Sequence, residues 1–255
     1  MIREKQFAIN EKGYSIQCRI IADTDLREYD RAVLCTHGFG SNKDIASITR
    51  FAEKETAKYK RDAVVAFDWP AHGKDARKKL ELPECMEYLT IVVNYVKDVF
   101  HARHVFIYSV SFGGYLTLKY IAETGCPFEK IALRCPGIHM YDLMRKNFTP
   151  DELEKLRKGK EILAGYERKM KTDQKLLDGL KASDVTKYEY FDYADQMIIL
   201  HGTADTVVPM EDSRAFAENN VISFLPVEGA DHTFRDPKKM DLAIHTIIEF
   251  FAPDN

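Results

Sequence analysis

A serine at a sharp strand-to-helix turn is the first feature of this chain that could do chemistry. In Ser109-Val110-Ser111-Phe112-Gly113-Gly114 an apolar, β-branched run precedes Ser111 and a helix-prone run follows it. Such a turn presents the middle hydroxyl from a strained backbone, and the residues two positions to either side must be small. Gly113 meets that requirement. Ser109 stands where glycine is usual, but it is small too. A hydroxyl is a weak nucleophile and needs an adjacent base, itself oriented by a third group. The chain supplies both in order: Asp205 in His201-Gly202-Thr203-Ala204-Asp205, then His232 in Gly229-Ala230-Asp231-His232. Each follows a strand-like run, and strand ends on one edge of a parallel sheet converge. Ser111, Asp205 and His232 are therefore the expected catalytic residues. Acyl transfer also needs backbone N–H groups aimed at the developing oxyanion. Phe112, next after the nucleophile, should supply one. Phe39, in the tight turn His37-Gly38-Phe39-Gly40, should supply the other.

The elements that must position these residues follow from periodicity. Short β-branched runs alternate with longer helical patterns, which predicts βαβ units and a mostly parallel, doubly wound α/β sheet. Strands are expected near residues 5–10, 14–21, 32–36, 63–67, 105–110, 131–135, 197–200 and 222–227. Helices are expected from Asp44, as a capping residue, to about residue 60, then over 84–100 opened by Pro83, and over 112–123, 211–218 and 238–251. Residues 139–195 break the pattern. They are charged and helix-prone and carry no buried-strand run. Lying between two sheet strands, they read as an insertion over the sheet within a single domain spanning 1–255. From Arg145 to Lys187 there are twelve Lys/Arg against eight Asp/Glu, formally +4 within a chain of net charge −3. The aromatics Tyr141, Phe148, Tyr166, Tyr188, Tyr190, Phe191 and Tyr193 are expected mostly to pack this insertion onto the sheet. The insertion as a whole is expected to roof an apolar acyl pocket.

Composition narrows the functional classes. An acidic balance, with a pI near 6.3, argues against nucleic acid as a partner. No apolar run is long enough to span a membrane. The N-terminal MIREKQFAIN has no apolar core of the kind a secretory signal carries. Cys18, Cys35, Cys85, Cys126 and Cys135 are odd in number and contain no CxxC pair, so a reducing, cytoplasmic compartment is expected. His37 and His72 read as structural residues, and His201 as the lead into the acid loop. None has metal-ligand spacing such as HExxH, so neither metal nor cofactor is expected.

Residues 32–255 resemble the α/β-hydrolase superfamily. Within it HGFGSNKD, SVSFGG, HGTADTVVP and GADHTF are similar to small bacterial esterases of the cinnamoyl/feruloyl type. The resemblance implies Ser111, Asp205 and His232 as triad, Phe39 and Phe112 as oxyanion donors, and a lid inserted before the strand that precedes the acid. It implies a small-molecule ester as substrate. SFGGY also resembles the prolyl-oligopeptidase group, although a chain of this length is too short to carry that group's propeller. A peptidase or thioesterase using the same triad, and a low-turnover binding or signalling protein on the same fold, are the alternative readings.

Overall fold

The structure, a computed structural model, describes residues 1–75, 77–165 and 167–253. The chain opens with β1 (Ile2–Glu11) and β2 (Tyr14–Asp23). It then alternates through β3 (Arg31–Thr36), α1 (Ala46–Lys58), β4 (Asp62–Phe67), α2 (Leu82–Asp98), β5 (His104–Val110), α3 (Phe112–Thr124) and β6 (Lys130–Arg134). An insertion of small elements follows: α4 (Met140–Arg145), α5 (Pro150–Arg157), a hairpin of β7 (Ile162–Ala164) and β8 (Met170–Thr172), and α6 (Gln174–Ala182). The sheet resumes with β9 (Met197–Gly202), α7 (Met210–Asn220), β10 (Ser223–Val227) and α8 (Pro237–Phe250).

Eight strands form one sheet in the order β1-β2-β4-β3-β5-β6-β9-β10. β2 is antiparallel to both β1 and β4, and every pair from β4 to β10 is parallel. Strand periodicity sends alternate side chains to opposite faces. In β3, Ala32 and Leu34 join the core under α2 and α3, whereas Val33 and Cys35 join the core under α1 and α8. Because both faces are covered, the central strands read as continuous apolar runs. After β3 the chain first adds β4 on one side and later β5 on the other. That reversal opens a crevice beyond the carboxyl ends of β3 and β5, where residues 37–40 meet Ser111.

Two local expectations are corrected. Asp44 does not cap α1; Ile45 takes the N-cap position and makes no side-chain capping bond. The Asp44 carboxylate is drawn elsewhere, lying 2.9 Å from Lys43 Nζ and 3.6 Å from Arg19 Nε of β2 and accepting from Gln6 Nε2 of β1 at 3.2 Å. Arg19 and Gln6 come from distant strands, which local capping rules cannot register. The insertion also contains strands after all. Ile162 and Ala164 of β7, and Met170 and Thr172 of β8, are buried on alternate positions. Three-residue strands are too short to stand out from a charged background.

The aromatics of the insertion pack as expected where they are described. Tyr190 is buried, donates its hydroxyl to Leu118 O and lies 5.3 Å from the Phe216 ring. Tyr141, Phe148 and Tyr193 are partly buried against the same core, and Tyr188 and Phe191 are exposed. Tyr166 lies outside the described residues. The five cysteines are free, four of them buried. Among the described residues no helix is long and apolar enough to cross a membrane.

Behind the sheet a buried charge cluster ties β3, α1 and β4 together. Arg31 Nη2 lies 2.5 Å from Asp62 Oδ2 and 3.5 Å from Glu55 Oε1, so one guanidinium serves two carboxylates. Burial pushes Glu55 from its ordinary 4.5 up to about 8. A raised acid pKa means that the folded chain holds the proton more tightly than the unfolded one. Stability from this group is therefore full below about pH 4.5 and is lost as pH climbs toward 8. Glu55→Gln mimics the protonated form. Thermal melts should show little change from the parent at about pH 5 and a raised Tm at about pH 8. An equal shift at both would mean that Glu55 does not titrate in this window.

Candidate active site

Ser111 sits between β5 and α3 with φ 54° and ψ −115°, a left-handed conformation that costs a non-glycine residue about 1–3 kcal/mol. Three backbone hydrogen bonds hold it there. Its N–H donates to Arg134 O at 3.0 Å, and its carbonyl accepts from Tyr115 N at 3.2 Å and Gly137 N at 3.1 Å. The need for small neighbours is real, but its cause is β3. A Cβ on Gly113 would stand 2.3 Å from Thr36 Oγ1 and 2.9 Å from His37 O. Ser109 is fully buried and its hydroxyl is occupied. It accepts from Thr36 Oγ1 at 2.9 Å and lies 2.8 Å from Thr117 Oγ1, which donates to Gly113 O.

The three residues singled out in the sequence meet. His232 Nε2 lies 3.0 Å from Ser111 Oγ, and His232 Nδ1 lies 2.7 Å from Asp205 Oδ2. Asp205 is fixed on both oxygens. Oδ1 accepts from the amides of Val207 at 2.8 Å and Val208 at 2.9 Å. Oδ2 faces His201 Nε2 at 3.1 Å as well as His232. His201 is buried. Its Nδ1 pairs with Ser213 Oγ at 2.9 Å, while Nε2 points at two acceptors, Val208 O and Asp205, so Nε2 carries the proton. Burial by itself would raise the Asp205 pKa. The hydrogen bonds from His201 and His232 outweigh it and hold the carboxyl well below the usual range. A permanently ionised acid fixes the Nδ1–H tautomer of His232 and leaves Nε2 free to accept a proton from the serine.

From the sequence His201 reads only as the lead into the acid loop. Its four-residue spacing to Asp205 across Gly202 was the available signal. The group Cys135, His201 and Asp205 places three potential ligand atoms within 4.8 Å of one another. It does not suit a metal. Both nitrogens of His201 are engaged, and burial pushes the Cys135 thiol far up, which keeps it protonated.

The loop after β3 is arranged around its histidine. His37 Nδ1 donates to Gly38 O at 2.8 Å, and its Nε2 accepts from Trp69 N at 3.3 Å. Ser41 N also donates to Gly38 O. In a trans peptide the C=O and the following N–H point oppositely, so the Phe39 amide is turned away from His37. Gly38 lies against the serine; a Cβ there would be 3.3 Å from Ser111 Cβ. Phe112 is the first residue of α3, where an amide has no intrahelical acceptor. His72 packs beside both, with its ring 5.9 Å from Phe39 and 6.3 Å from Phe112. Burial drops His37 to about 4 and His72 to about 3, so both stay neutral and add no charge here.

Ser111 and His232 open into a cavity of about 1000 Å³. The insertion lines it with the apolar Met140, Leu143, Met144, Phe148 and Leu163, and with Asn147, Glu152, Glu167 and Lys169. Among the described residues Phe148 is the one lining residue from the aromatics of the insertion, so aliphatic and thioether side chains supply most of the apolar part of this wall.

Comparison with solved structures shows the α/β-hydrolase fold. It superposes on Est1E from Butyrivibrio proteoclasticus, determined with ferulic acid bound, with a TM-score of 0.75 and 18% identity over 96% of this chain and 97% of that one. The esterase domain of a Rhodothermus marinus protein gives 0.69 and 16% identity over 98% and 97%. An α/β serine hydrolase without a lid from Xanthomonas campestris gives 0.63 and 12% identity over 99% and 97%. At these identities the likeness establishes the fold. Comparison with curated protein sequences found no match. The family model described as the prolyl oligopeptidase family matches residues 65–253, a span that contains Ser111, Asp205 and His232. This chain, an α/β-hydrolase in fold, belongs to the prolyl oligopeptidase family of serine hydrolases.

Proposed function

We propose that this protein is a serine esterase that cleaves carboxylic esters of small molecules through an acyl-enzyme. The observation that carries this reading is the unbroken chain from Ser111 Oγ through His232 to Asp205, at 3.0 and 2.7 Å. In this mechanism His232 Nε2 takes the hydroxyl proton as Ser111 attacks the ester carbonyl. Asp205 holds the imidazole in the required tautomer and stabilises its cation. The amides of Phe39 and Phe112 receive the oxyanion. His232 then passes the proton to the leaving alcohol, and water repeats the sequence on the acyl-enzyme.

Ester rather than peptide is favoured by the insertion. Residues 139–195, which we read as a lid within a single domain, roof an apolar chamber that suits a compact acyl group better than an extended chain. The likeness to a protein crystallised with ferulic acid points the same way. The family match favours a second reading, a peptidase using the same triad. A panel of acetate, butyrate and hydroxycinnamate esters, thioesters and peptide amides separates the two. Highest kcat/KM is expected on esters, and cleavage of peptide amides alone would overturn the ester assignment.

Substitutions test the roles. Ser111→Ala should abolish turnover with the fold intact. Ser109→Ala should cost far less, since its hydroxyl bonds only to Thr36 and Thr117. Asp205→Asn should lower kcat by roughly 10⁴, the precedent from another triad enzyme in which the wrong histidine tautomer results. Near-parental rates in the Ser111 variant, measured on p-nitrophenyl butyrate, would remove Ser111 from the mechanism.

A further inference from the structure

The cavity has a second end, and its chemistry differs from the apolar chamber under the insertion. There the first turn of α1, the end of β6 and the start of α8 meet around Arg134. Arg134 is only 2% exposed. It stands beside the nucleophile, because its carbonyl accepts the Ser111 N–H. Its guanidinium is poorly served. Nη1 lies 3.2 Å from the Met240 thioether, Nη2 reaches Ser47 Oγ at 3.4 Å, and the group stacks 5.1 Å from the Phe234 ring centroid. Nε is buried with no partner. Among the described residues no carboxylate comes within ion-pair distance. Arg31, equally buried, is flanked by two. A buried cation without a counter-ion is expensive unless something compensates it.

The charged groups around this end are otherwise matched. Arg50 pairs with Asp241 and Arg235 with Asp231, each at 2.5 Å. Asp44 is held by Lys43 and Arg19. Further off, within the insertion, Glu152 is bound by Thr149 and Glu167 by Asn42. The thirteen-residue α1 presents its N-terminus to the same space, with Ala46 and Ser47 on the wall, no side-chain cap and no acid in its first turn. Its unpaired amides and the helix dipole add positive potential beside Arg134.

We propose that Arg134 and the first turn of α1 form a seat for a carboxylate carried on the alcohol portion of the substrate. The enzyme would then cleave esters that join an apolar acid to an anionic alcohol. This deepens the esterase reading and rests on it. The assignment to the alcohol follows from His232, which must protonate the leaving oxygen. Thr233, Phe234 and Arg235 run from it along the cavity wall toward Arg134, while the acyl group takes the apolar end. A monoanion neutralises the single guanidinium, which selects a carboxylate over a phosphate dianion. In hydrolysis the acyl C–O bond breaks, water gives its OH to the acid and its H to the alcohol, and the carboxylate is carried away unchanged.

The experiment compares the butyrate esters of 3-hydroxybenzoate and of its uncharged analogue 3-hydroxybenzamide. The parent should favour the anionic ester in kcat/KM by roughly tenfold to a hundredfold, the worth of a charge-assisted hydrogen bond. Arg134→Met should bring the ratio to about one. If that variant does not fold, Ser47→Asp, at a half-buried position, places a carboxylate against the guanidinium and should abolish the preference in the same way. A parent ratio near one, or a preference that survives in a folded Arg134→Met or Ser47→Asp variant, overturns the proposal. If the parent turns over neither ester, the esterase reading fails, and calorimetry judges the seat alone. Binding of 3-hydroxybenzoate in preference to 3-hydroxybenzamide, lost in Ser47→Asp, supports it; equal or absent binding of both overturns it. Phenyl phosphate binding more tightly than 3-hydroxybenzoate would overturn the carboxylate assignment in favour of phosphate.

Discussion

The left-handed backbone of Ser111 is the constraint on which the candidate site depends. A φ of 54° in a non-glycine residue persists only when its surroundings hold it. Here the holding groups come from the helix after the turn and from the next strand: Tyr115 in α3, Arg134 at the end of β6 and Gly137 just beyond. The parallel pairing of β5 with β6 brings Val110 and Arg134 into register, and the serine follows from that register. The close approach of Gly113 to Thr36 then sets α3 against the end of β3. The loop that should donate one oxyanion N–H is thereby placed beside the helix that should donate the other. Displacing any of these three strands would move the nucleophile and the amides together.

Asp205 illustrates a second requirement, that a buried anion be saturated with donors. Two amides and two imidazoles converge on its carboxylate. The amides come from its own loop, so the turn after β9 folds around the charge. His201 comes from the end of strand β9 itself and is locked by Ser213 of α7. The acid is thus tied to the sheet and to the helix behind it as well as to the loop. That rigidity is what a residue needs if its task is to orient a histidine.

The insertion and the α1–α8 side line unlike stretches of the cavity into which Ser111 and His232 open. Under the insertion Met140, Leu143, Met144, Phe148 and Leu163 form an aliphatic, thioether-rich stretch of wall that is adaptable in shape, with Asn147, Glu152, Glu167 and Lys169 also lining that side. Around Arg134 the wall is cationic. A site so divided orients a bipolar substrate before chemistry begins, because reversing it would put an anion in the apolar chamber and strip the anion of water.

By itself the sequence determined the parts that depend on order and periodicity. Alternating β-branched and helical runs specified the parallel sheet, because strand and helix periods are local properties. The order of Ser111, Asp205 and His232 after successive strands was enough to foresee their meeting, because a parallel sheet carries all its strand ends to one edge. Tertiary structure decided what depends on partners distant in the chain. Asp44 reads as a cap but is held by Arg19 and Gln6 of distant strands. His201 looked like a loop residue but bonds the acid. The aromatics of the insertion turned mostly into the core or to solvent, and Met140, Leu143 and Met144 took the cavity wall. Arg134 is a single charge at the end of an apolar strand, and only packing showed it buried without a counter-ion. The reason is the same in each case. A side chain's charge and hydrogen-bonding capacity are written in its own residue, whereas its burial and its partners are set by how the whole chain packs.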